Sequence, residues 1–215
     1  MSDSEEADTK RLGYHHGELP QTLMSLALEA IAQGGTEKLS LRALAREAGV
    51  SATAPYRHFE SKQALMAALA TQGFEALGER SQAVNDAALS VEERLLAMAE
   101  AYVQFACDNP VSYQLMFGAV LGDYTDSEML QAAAARSYED VYALLQEVID
   151  ARRLDVDADE LGGVVWATVH GMASLLINNV NVGSRDAAPM RALACLRENP
   201  RQSIEVALSQ LLARD

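Results

Sequence analysis

The chain of 215 residues is long enough for one domain, or for one domain with a small additional head, and for a substantial hydrophobic core. A composition of 49% hydrophobic and 22% charged residues with 5 prolines excludes a long disordered protein. The net charge of -14 excludes a uniformly basic nucleic-acid binder and a protein that docks on anionic lipid. Because alanine, leucine, glutamate, glutamine and arginine dominate, an all-α fold is predicted.

The charges are distributed unevenly along the chain. Between Lys10 and Leu65 there are seven basic and five acidic residues, whereas the remainder is strongly acidic. We therefore expect only this segment to approach phosphate.

The cellular location is predicted from the N-terminus, the cysteines and the apolar stretches. The first residues are polar and acidic, unlike a secretory signal. Cys107 and Cys195 are far apart and form no CxxC pair, which indicates a reducing compartment. The longest apolar stretch, Gly162–Ile177, is too short to span a bilayer comfortably. We expect a cytoplasmic protein that makes no membrane contact.

The N-terminal third is predicted to hold a tail and four helices. Residues 1–12 are charged and lack periodicity, which predicts a disordered acidic tail. Apolar residues at helical spacing, serine N-caps and glycine stops then place the helices. They are Glu18–Ala32, which ends at Gly34-Gly35; Leu41–Ala48, after the N-cap Ser40; Ala52–Phe59, after the turn at Gly49 and the N-cap Ser51; and Lys62–Arg80, capped by Ser61.

The rest of the chain is predicted to form long helices with recognisable first turns. The starting signals are capping boxes at Ser90–Glu93 and Thr125–Glu128, the pairs Asn109-Pro110 and Asn199-Pro200, and the acidic turn Asp157–Glu160. The first capping box opens a helix to Cys107, the second a helix to about Ile149, and the acidic turn a helix to about Val180. Pro189–Leu196 is a further short helical segment.

One stretch carries a motif with a functional meaning. Ser40–Leu65 reads SLRALAREAGVSATAPYRHFESKQAL, in which short helices are joined by tight turns, as in a helix-turn-helix. The residues in this stretch that resemble a known protein family are Leu44-Ala45, Ala48–Ser51, Tyr56–Phe59, Lys62 and Leu65. They resemble the DNA-binding head of the tetracycline-repressor (TetR) family of bacterial transcription regulators. The resemblance implies a three-helix DNA-binding head at residues 13–62 and a larger helical domain at residues 63–215 that binds an effector and forms the dimer.

The helix after Gly49 is the expected recognition helix, whose first residues enter the major groove of double-stranded DNA. Small apolar side chains there can contact thymine methyl groups, and hydroxyl, imidazole and basic groups can bond phosphate. The candidate DNA-binding residues are Arg42, Arg46, Ser51, Ala52, Thr53, Pro55, Tyr56, Arg57, His58 and Lys62. Pro55 stands where the family more often has a branched or small residue. Because proline removes one backbone bond, a short and rigid recognition helix is predicted.

The larger domain resembles one subtype of the family. Trp166, His170 and Gly171 are spaced as W-x-x-x-H-G, and Tyr14–Leu19 reads YHHGEL. Both features resemble the subtype whose C-terminal domain is named for Trp-His-Gly (WHG). Trp166 and His170 lie one helical turn apart, and from the residues alone they fit either a pocket wall or packing between helices.

Methionine and aromatic side chains at helical spacing form the candidate effector pocket, although such residues commonly belong to an ordinary core. They are Met98, Tyr102, Phe105, Tyr113, Met116, Phe117, Tyr138, Tyr142, Trp166 and His170. No cluster of basic residues accompanies them. We therefore expect a small, largely apolar or aromatic effector with one or two hydrogen-bonding groups.

The resemblance further implies a homodimer formed by the last two long helices, about Glu160–Val180 and Asn199–Leu212. Gly162-Gly163 and Gly171 would let these helices approach their copies closely. Two heads related by a two-fold axis predict a palindromic operator. Effector binding is expected to shift the helix Lys62–Arg80, change the distance between the heads and release the DNA, as in a repressor.

Two other functions compete with a regulator. The sequence has no HExxH, GxSxG or Walker motif and no paired Cys/His ligand set, so no enzyme, metal site or cofactor is predicted. His15-His16 beside Glu18 fits a solvated tail better than a metal site, and Cys107 fits a buried thiol better than a nucleophile. The alternative is a helical small-molecule binding protein with a degenerate DNA-binding head. The basic charge of the head and the intact Tyr56–Phe59 stretch count against it.

Overall fold

The computed structural model describes residues 18–118, 127–178, 184 and 186–213. These residues form nine α-helices and two short 3-10 helices, with no strand among them. The α-helices are α1 (Leu19–Gly34), α2 (Leu41–Glu47), α3 (Lys62–Val84), α4 (Val91–Asp108), α5 (Pro110–Phe117), α6 (Glu128–Arg152), α7 (Ala158–Ile177), α8 (Ala188–Glu198) and α9 (Pro200–Leu211). The 3-10 helices are Thr36–Lys38 and Pro55–Arg57. The predicted all-α fold is confirmed.

The chain divides into two compact units, of which the first ends at Leu65 and the second begins at Met66. In the first unit α1, α2 and the 3-10 helix Pro55–Arg57 pack against one another. Leu23 of α1 and Leu44 of α2 are completely buried there. Gly35 and Gly49, with φ angles of 72° and 71°, take the positive φ that glycine tolerates best; Gly35 ends α1 and Gly49 turns the chain after α2.

Several predicted first turns are present. In the Ser90 capping box, the Glu93 amide donates to Ser90 Oγ at 3.3 Å, and the Ser90 amide donates to Glu93 Oε2 at 3.1 Å. Asp157 Oδ1 accepts a hydrogen bond of 2.7 Å from the Glu160 amide and so caps α7. Ser61 Oγ likewise accepts one of 3.1 Å from the Ala64 amide.

Other first turns differ from the prediction. Ser40, Asn109 and Asn199 precede their helices without a capping hydrogen bond from the side chain. The Asn109 amide group donates instead to the Phe105 carbonyl at 3.1 Å, in the last turn of α4. Helix α6 begins after Ser127, and Thr125 of the predicted capping box lies outside the described residues. So do the acidic tail, His15-His16 and Val180.

Helices α4, α6, α7 and α9 build the core of the second unit. The buried residues of this core are Leu95, Met98, Ala99, Val103, Leu144, Leu145, Val148, Leu161, Val165, Val169, Ile204, Leu208 and Leu212. Helix α8 packs on α7 and α9. Within the described ranges, α7 is the one helix long and apolar enough to cross a membrane, but three of its residues lie in this core, which is typical of a core helix.

Cys107 and Cys195 are both exposed free thiols. The prediction of a buried thiol at Cys107 is therefore wrong. Phe105 and Ala106 take the buried face of α4, and the helical rotation of the following residue turns Cys107 outward.

Candidate functional site

The first candidate site begins at the turn after α2. The amides of Ala48 and Val50 donate to the carbonyls of Leu44 and Ala45 at 2.8 and 2.9 Å, which fastens the turn around Gly49 to the end of α2. Beyond the turn the structure has the single 3-10 helix Pro55–Arg57 where an α-helix over Ala52–Phe59 was predicted. Pro55 has no N–H group, so it cannot donate the bond to the Ser51 carbonyl that an α-helix starting at Ala52 needs. The Ala54 amide donates to that carbonyl instead, at 2.9 Å.

The structure places most of the candidate DNA-binding residues on the surface of the first unit. The exposed ones are Arg42, Arg46, Ser51, Ala52, Thr53, Tyr56, Arg57 and His58, and Lys62 is half-buried. Tyr56 is 48% exposed, which is unusual for a large aromatic side chain. The prediction that Pro55 faces DNA is wrong, because its side chain is completely buried in the core of this unit.

These exposed side chains can make two kinds of contact. Ser51, Ala52 and Thr53 form a small surface at the start of the element, where the Ser51 and Thr53 hydroxyls lie 3.3 Å apart. Short side chains of this kind allow the backbone to approach base edges closely. The hydroxyl of Tyr56 and the basic residues of α2 supply donors for the phosphate backbone.

The second candidate site is a cavity of about 540 Å³ in the second unit. Its volume is that of a site for a small molecule, roughly 300–1,000 Å³. Residues of α3, α4, α6 and α7, together with Phe117 at the end of α5, form the wall. Five of the predicted pocket residues line it: Met98, Tyr102, Phe117, Tyr138 and Trp166.

The other five predicted residues do not line the cavity. Phe105, Tyr113 and Met116 are buried in the packing of α4 and α5. Tyr142 stands beside Tyr138, with ring centroids 6.3 Å apart, but not in the wall. His170 lies one turn further along α7 than Trp166 and contacts the wall from behind.

Sequence reasoning missed most of the aliphatic wall and its two glycines, Gly162 and Gly163. The missed lining residues include Phe74, Leu77, Leu95, Ala99, Val141, Gly162, Val165 and Val169. Gly162 was predicted to serve helix approach in a dimer, but it is buried, and a Cβ atom there would overlap the Tyr138 hydroxyl. Gly163 lines the cavity too, although a Cβ atom there would meet no atom within 4 Å. Gly171 has the same open space and is not in the lining, so it remains available for close approach.

Four polar side chains form a network, in which Tyr102 and Trp166 belong to the wall and Tyr113 and His170 lie behind it. Tyr113 Oη lies 2.7 Å and Tyr102 Oη 3.1 Å from His170 Nδ1, and the two hydroxyls are 3.0 Å apart. Trp166 Nε1 donates to Tyr102 Oη at 3.3 Å. One consistent set of donors runs from the indole through the phenols to His170 Nδ1, and in that set Nδ1 is an unprotonated acceptor.

The protonation states agree with this direction of donation. Burial raises the pKa of both Tyr102 and Tyr113 and lowers the pKa of His170, so all three groups are neutral. Trp166 and His170 of α7 therefore differ in role, one in the pocket wall and the other in the packing between helices. Trp166 lines the cavity, and His170 holds the hydroxyl of Tyr102 from behind.

Asp159 brings charge to this otherwise apolar cavity. Among the lining residues that the structure describes, it is the only charged one. Its negative charge is the main cause of the raised pKa of Tyr142, and it adds to the effect of burial in raising the pKa of Tyr138.

Comparison with known proteins identifies the class that these two sites define. Residues 23–69 match the model of bacterial regulatory proteins of the tetR family. Residues 95–195 match the model of the tetracyclin repressor-like C-terminal domain. The protein is a DNA-binding regulator of transcription with a helix-turn-helix head. The chain belongs to the TetR family; its assignment to the WHG subtype stays a prediction.

Individual relatives agree with this family. A solved structure of a protein of unknown function from Rhodococcus sp. RHA1 is 30% identical, with a TM-score of 0.71 over 94% of this chain and 96% of that one. The nucleoid occlusion factor SlmA of Edwardsiella ictaluri is 26% identical over 82% of this chain and 88% of its own length. The HTH-type transcriptional regulator YobS of Bacillus subtilis is 34% identical over 43% of this chain and 48% of its own.

Proposed function

We propose that this protein is a cytoplasmic, homodimeric repressor that binds a palindromic operator and leaves it when a small apolar or aromatic molecule occupies the cavity. The observation that carries the proposal is the position of α3. Phe74 and Leu77 of this helix line the cavity, and its first residue, Lys62, is a candidate phosphate contact. One continuous helix therefore carries residues of both candidate sites. The protein acts by binding alone, without catalysis, metal or cofactor.

The DNA contacts proposed for each head follow from exposure and chemistry. Ser51, Ala52 and Thr53 approach base edges, while Tyr56 and the neighbouring basic residues bind phosphate. The acidic second unit repels DNA and leaves the head as the surface that contacts it.

The dimer is proposed to form through α7 and α9. Val164 and Leu175 of α7 are 44% and 46% exposed, and Val206 of α9 is 59% exposed. Val164, Gly171 and Leu175 recur at helical spacing and so share one face of α7. Exposed apolar residues on two helices of the core are typical of a surface that another subunit covers.

The ligand controls DNA binding by shifting a population between two states. A molecule that fills the cavity contacts α3 and favours the arrangement of α3 that fits it best. If that arrangement holds the two heads at a spacing different from the operator half-sites, the complex with DNA is destabilised. Differential affinity of the ligand for the two states is sufficient, and no chemical step is needed.

The test is release of bound DNA. A labelled genomic fragment that the protein selects is titrated with candidate cavity ligands, and fluorescence anisotropy reports the bound fraction. Quenching of the fluorescence of Trp166, which lines the cavity, shows that a ligand is bound there. Such a ligand should lower the affinity for DNA by about 5- to 150-fold. A ligand that saturates the cavity and leaves the affinity for DNA unchanged would contradict the proposal.

A further inference from the structure

The lining of the cavity combines aromatic rings with one negative charge. We propose that the cavity takes a lipophilic organic cation, an ammonium group attached to an aromatic or aliphatic body, whose charge is bound by Asp159. The proposal rests on the cavity being the effector site proposed above, and it adds the charge of the ligand.

Aromatic rings provide a surface that suits such a body. Phe74, Tyr102, Phe117, Tyr138 and Trp166 line the cavity. The rings of Phe117 and Trp166 have centroids 6.1 Å apart, and those of Phe74 and Phe117 are 5.4 Å apart. Ring faces attract alkylammonium groups more strongly when water is excluded, so this wall favours a cation over a neutral molecule of the same shape.

The wall offers little to an anion. No lysine or arginine stands among the described lining residues. Two of the neutral polar groups already have partners within the protein. The Trp166 indole donates to Tyr102 at 3.3 Å, and the Ser137 hydroxyl donates to the Ala134 carbonyl at 2.8 Å. A carboxylate would therefore lose its hydration and find only neutral donors, such as the Tyr138 hydroxyl, and no cation in this lining.

Asp159 is available to a cation. Its negative charge acts on the Tyr142 phenol, whose pKa it raises. No lysine or arginine in the described part of the chain forms an ion pair with it. Because Asp159 is exposed yet lines the cavity, it lies at the cavity mouth. An ammonium group there keeps part of its hydration while its apolar body enters, which limits the cost of desolvation.

An acidic residue in the first turn of a helix also has a simpler explanation, since it interacts favourably with the helix dipole. Glu160 has that same interaction in the first turn of α7, but it does not line the cavity. Glu160→Gln is therefore the matched control for Asp159→Asn. Each substitution removes one charge from the same turn, and only one removes it from the cavity.

Three probes with one body and different charges test the proposal: phenylbutyl trimethylammonium, phenylbutanol and phenylbutyrate. The dimer is titrated with each, and binding is followed by the fluorescence of Trp166, the one tryptophan in the chain, and by calorimetry. The cation should bind tightest and the anion weakest. Asp159→Asn should weaken binding of the cation by about fivefold, a modest loss because the ammonium–carboxylate pair is exposed at the mouth. Binding of the alcohol should not change. Glu160→Gln should leave all three unchanged.

The outcomes separate this proposal from the proposed function. Equal binding of cation and alcohol, or the same loss in both variants, would overturn the assignment of charge and leave the cavity as a ligand site. Binding of none of the three probes would overturn both. Binding of the cation that depends on Asp159, without any effect on DNA affinity, would support the ligand class and contradict regulation by the cavity.

Discussion

The phenol of Tyr113 and the imidazole of His170 are joined twice, by a hydrogen bond of 2.7 Å between Oη and Nδ1 and by stacking of their rings at 28°. With the phenol as the donor, Nδ1 of the neutral imidazole accepts this bond. The same nitrogen lies 3.1 Å from the hydroxyl of Tyr102, a residue of the cavity wall. The shape of that wall therefore depends on a neutral histidine.

Protonation of His170 should destabilise the protein in a defined pH range. Folding lowers the pKa of His170 below its unfolded value of 6.5, so the unfolded state binds the proton first as the pH falls. The stability that depends on the neutral imidazole is complete above about pH 6.5 and decreases as the pH falls below it. Asparagine places an amide near the Nδ1 position and does not titrate, so His170→Asn should lose less stability on acidification.

Urea denaturation of both proteins at neutral and mildly acidic pH measures this effect. The free energy of unfolding of the wild type should fall more between the two pH values than that of His170→Asn. Every other titrating group contributes equally to both proteins. Identical losses would show that His170 is not kept neutral by its surroundings.

Two adjacent glycines of α7 should respond in opposite ways to alanine. Gly162→Ala places a methyl group against the Tyr138 hydroxyl and 3.3 Å from Leu145, so the tyrosine ring must move and the cavity must change shape. Gly163 also lines the cavity, but it is exposed and a methyl group there meets no atom within 4 Å, so Gly163→Ala leaves the wall in place and should stabilise the helix by up to about 1 kcal/mol. Thermal denaturation and the affinity for phenylbutanol distinguish them. Equal effects of both substitutions on ligand affinity would contradict the role given to Gly162.

The proposed dimer surface predicts a monomeric variant. Leu175→Glu places a charge on the exposed apolar face of α7 and should prevent association, because a buried, unpaired carboxylate at an interface is costly. Leu89→Glu is the control, since Leu89 is also exposed, at 41%, but precedes α4. Light scattering should give half the mass for Leu175→Glu alone. A dimer in both variants would exclude this face.

The head should reveal its phosphate contacts through salt dependence. Arg46→Gln should weaken binding to all DNA sequences alike and reduce the slope of log affinity against log salt by about 1. Arg197→Gln, an exposed arginine of α8 in the second unit, should leave the slope unchanged. An unchanged slope for Arg46→Gln would remove this residue from the interface.

Local signals in the sequence were sufficient to predict much of the fold. Gly35 and Gly49 turn the chain where they were expected to, because few other residues tolerate a positive φ. The Ser90 box forms because both partners lie within one turn. The recognition element was overestimated in length, since the same proline that was expected to stiffen the helix leaves only one 3-10 turn and is itself buried.

The cavity was predicted only in part, for a reason that lies in the chemistry of its wall. Tyr102 and Trp166 were predicted because aromatic residues stand out in a sequence, whereas aliphatic lining residues such as Leu77 look like any core position. Whether a buried aromatic residue faces a cavity or the core depends on neighbouring helices, as Phe105 and Met116 show. Asp159 was missed because an acid at a helix start has a local explanation, and its place in the cavity depends on tertiary structure.

Sequence-specific DNA binding is tested by selection of genomic DNA fragments with the purified protein at physiological salt, with Tyr56→Ala as the control. The wild type should enrich one palindromic sequence, with half-sites about one helical turn apart, and the variant should lose that enrichment. Enrichment of no sequence by the ligand-free wild type, or equal enrichment by both proteins, would contradict it.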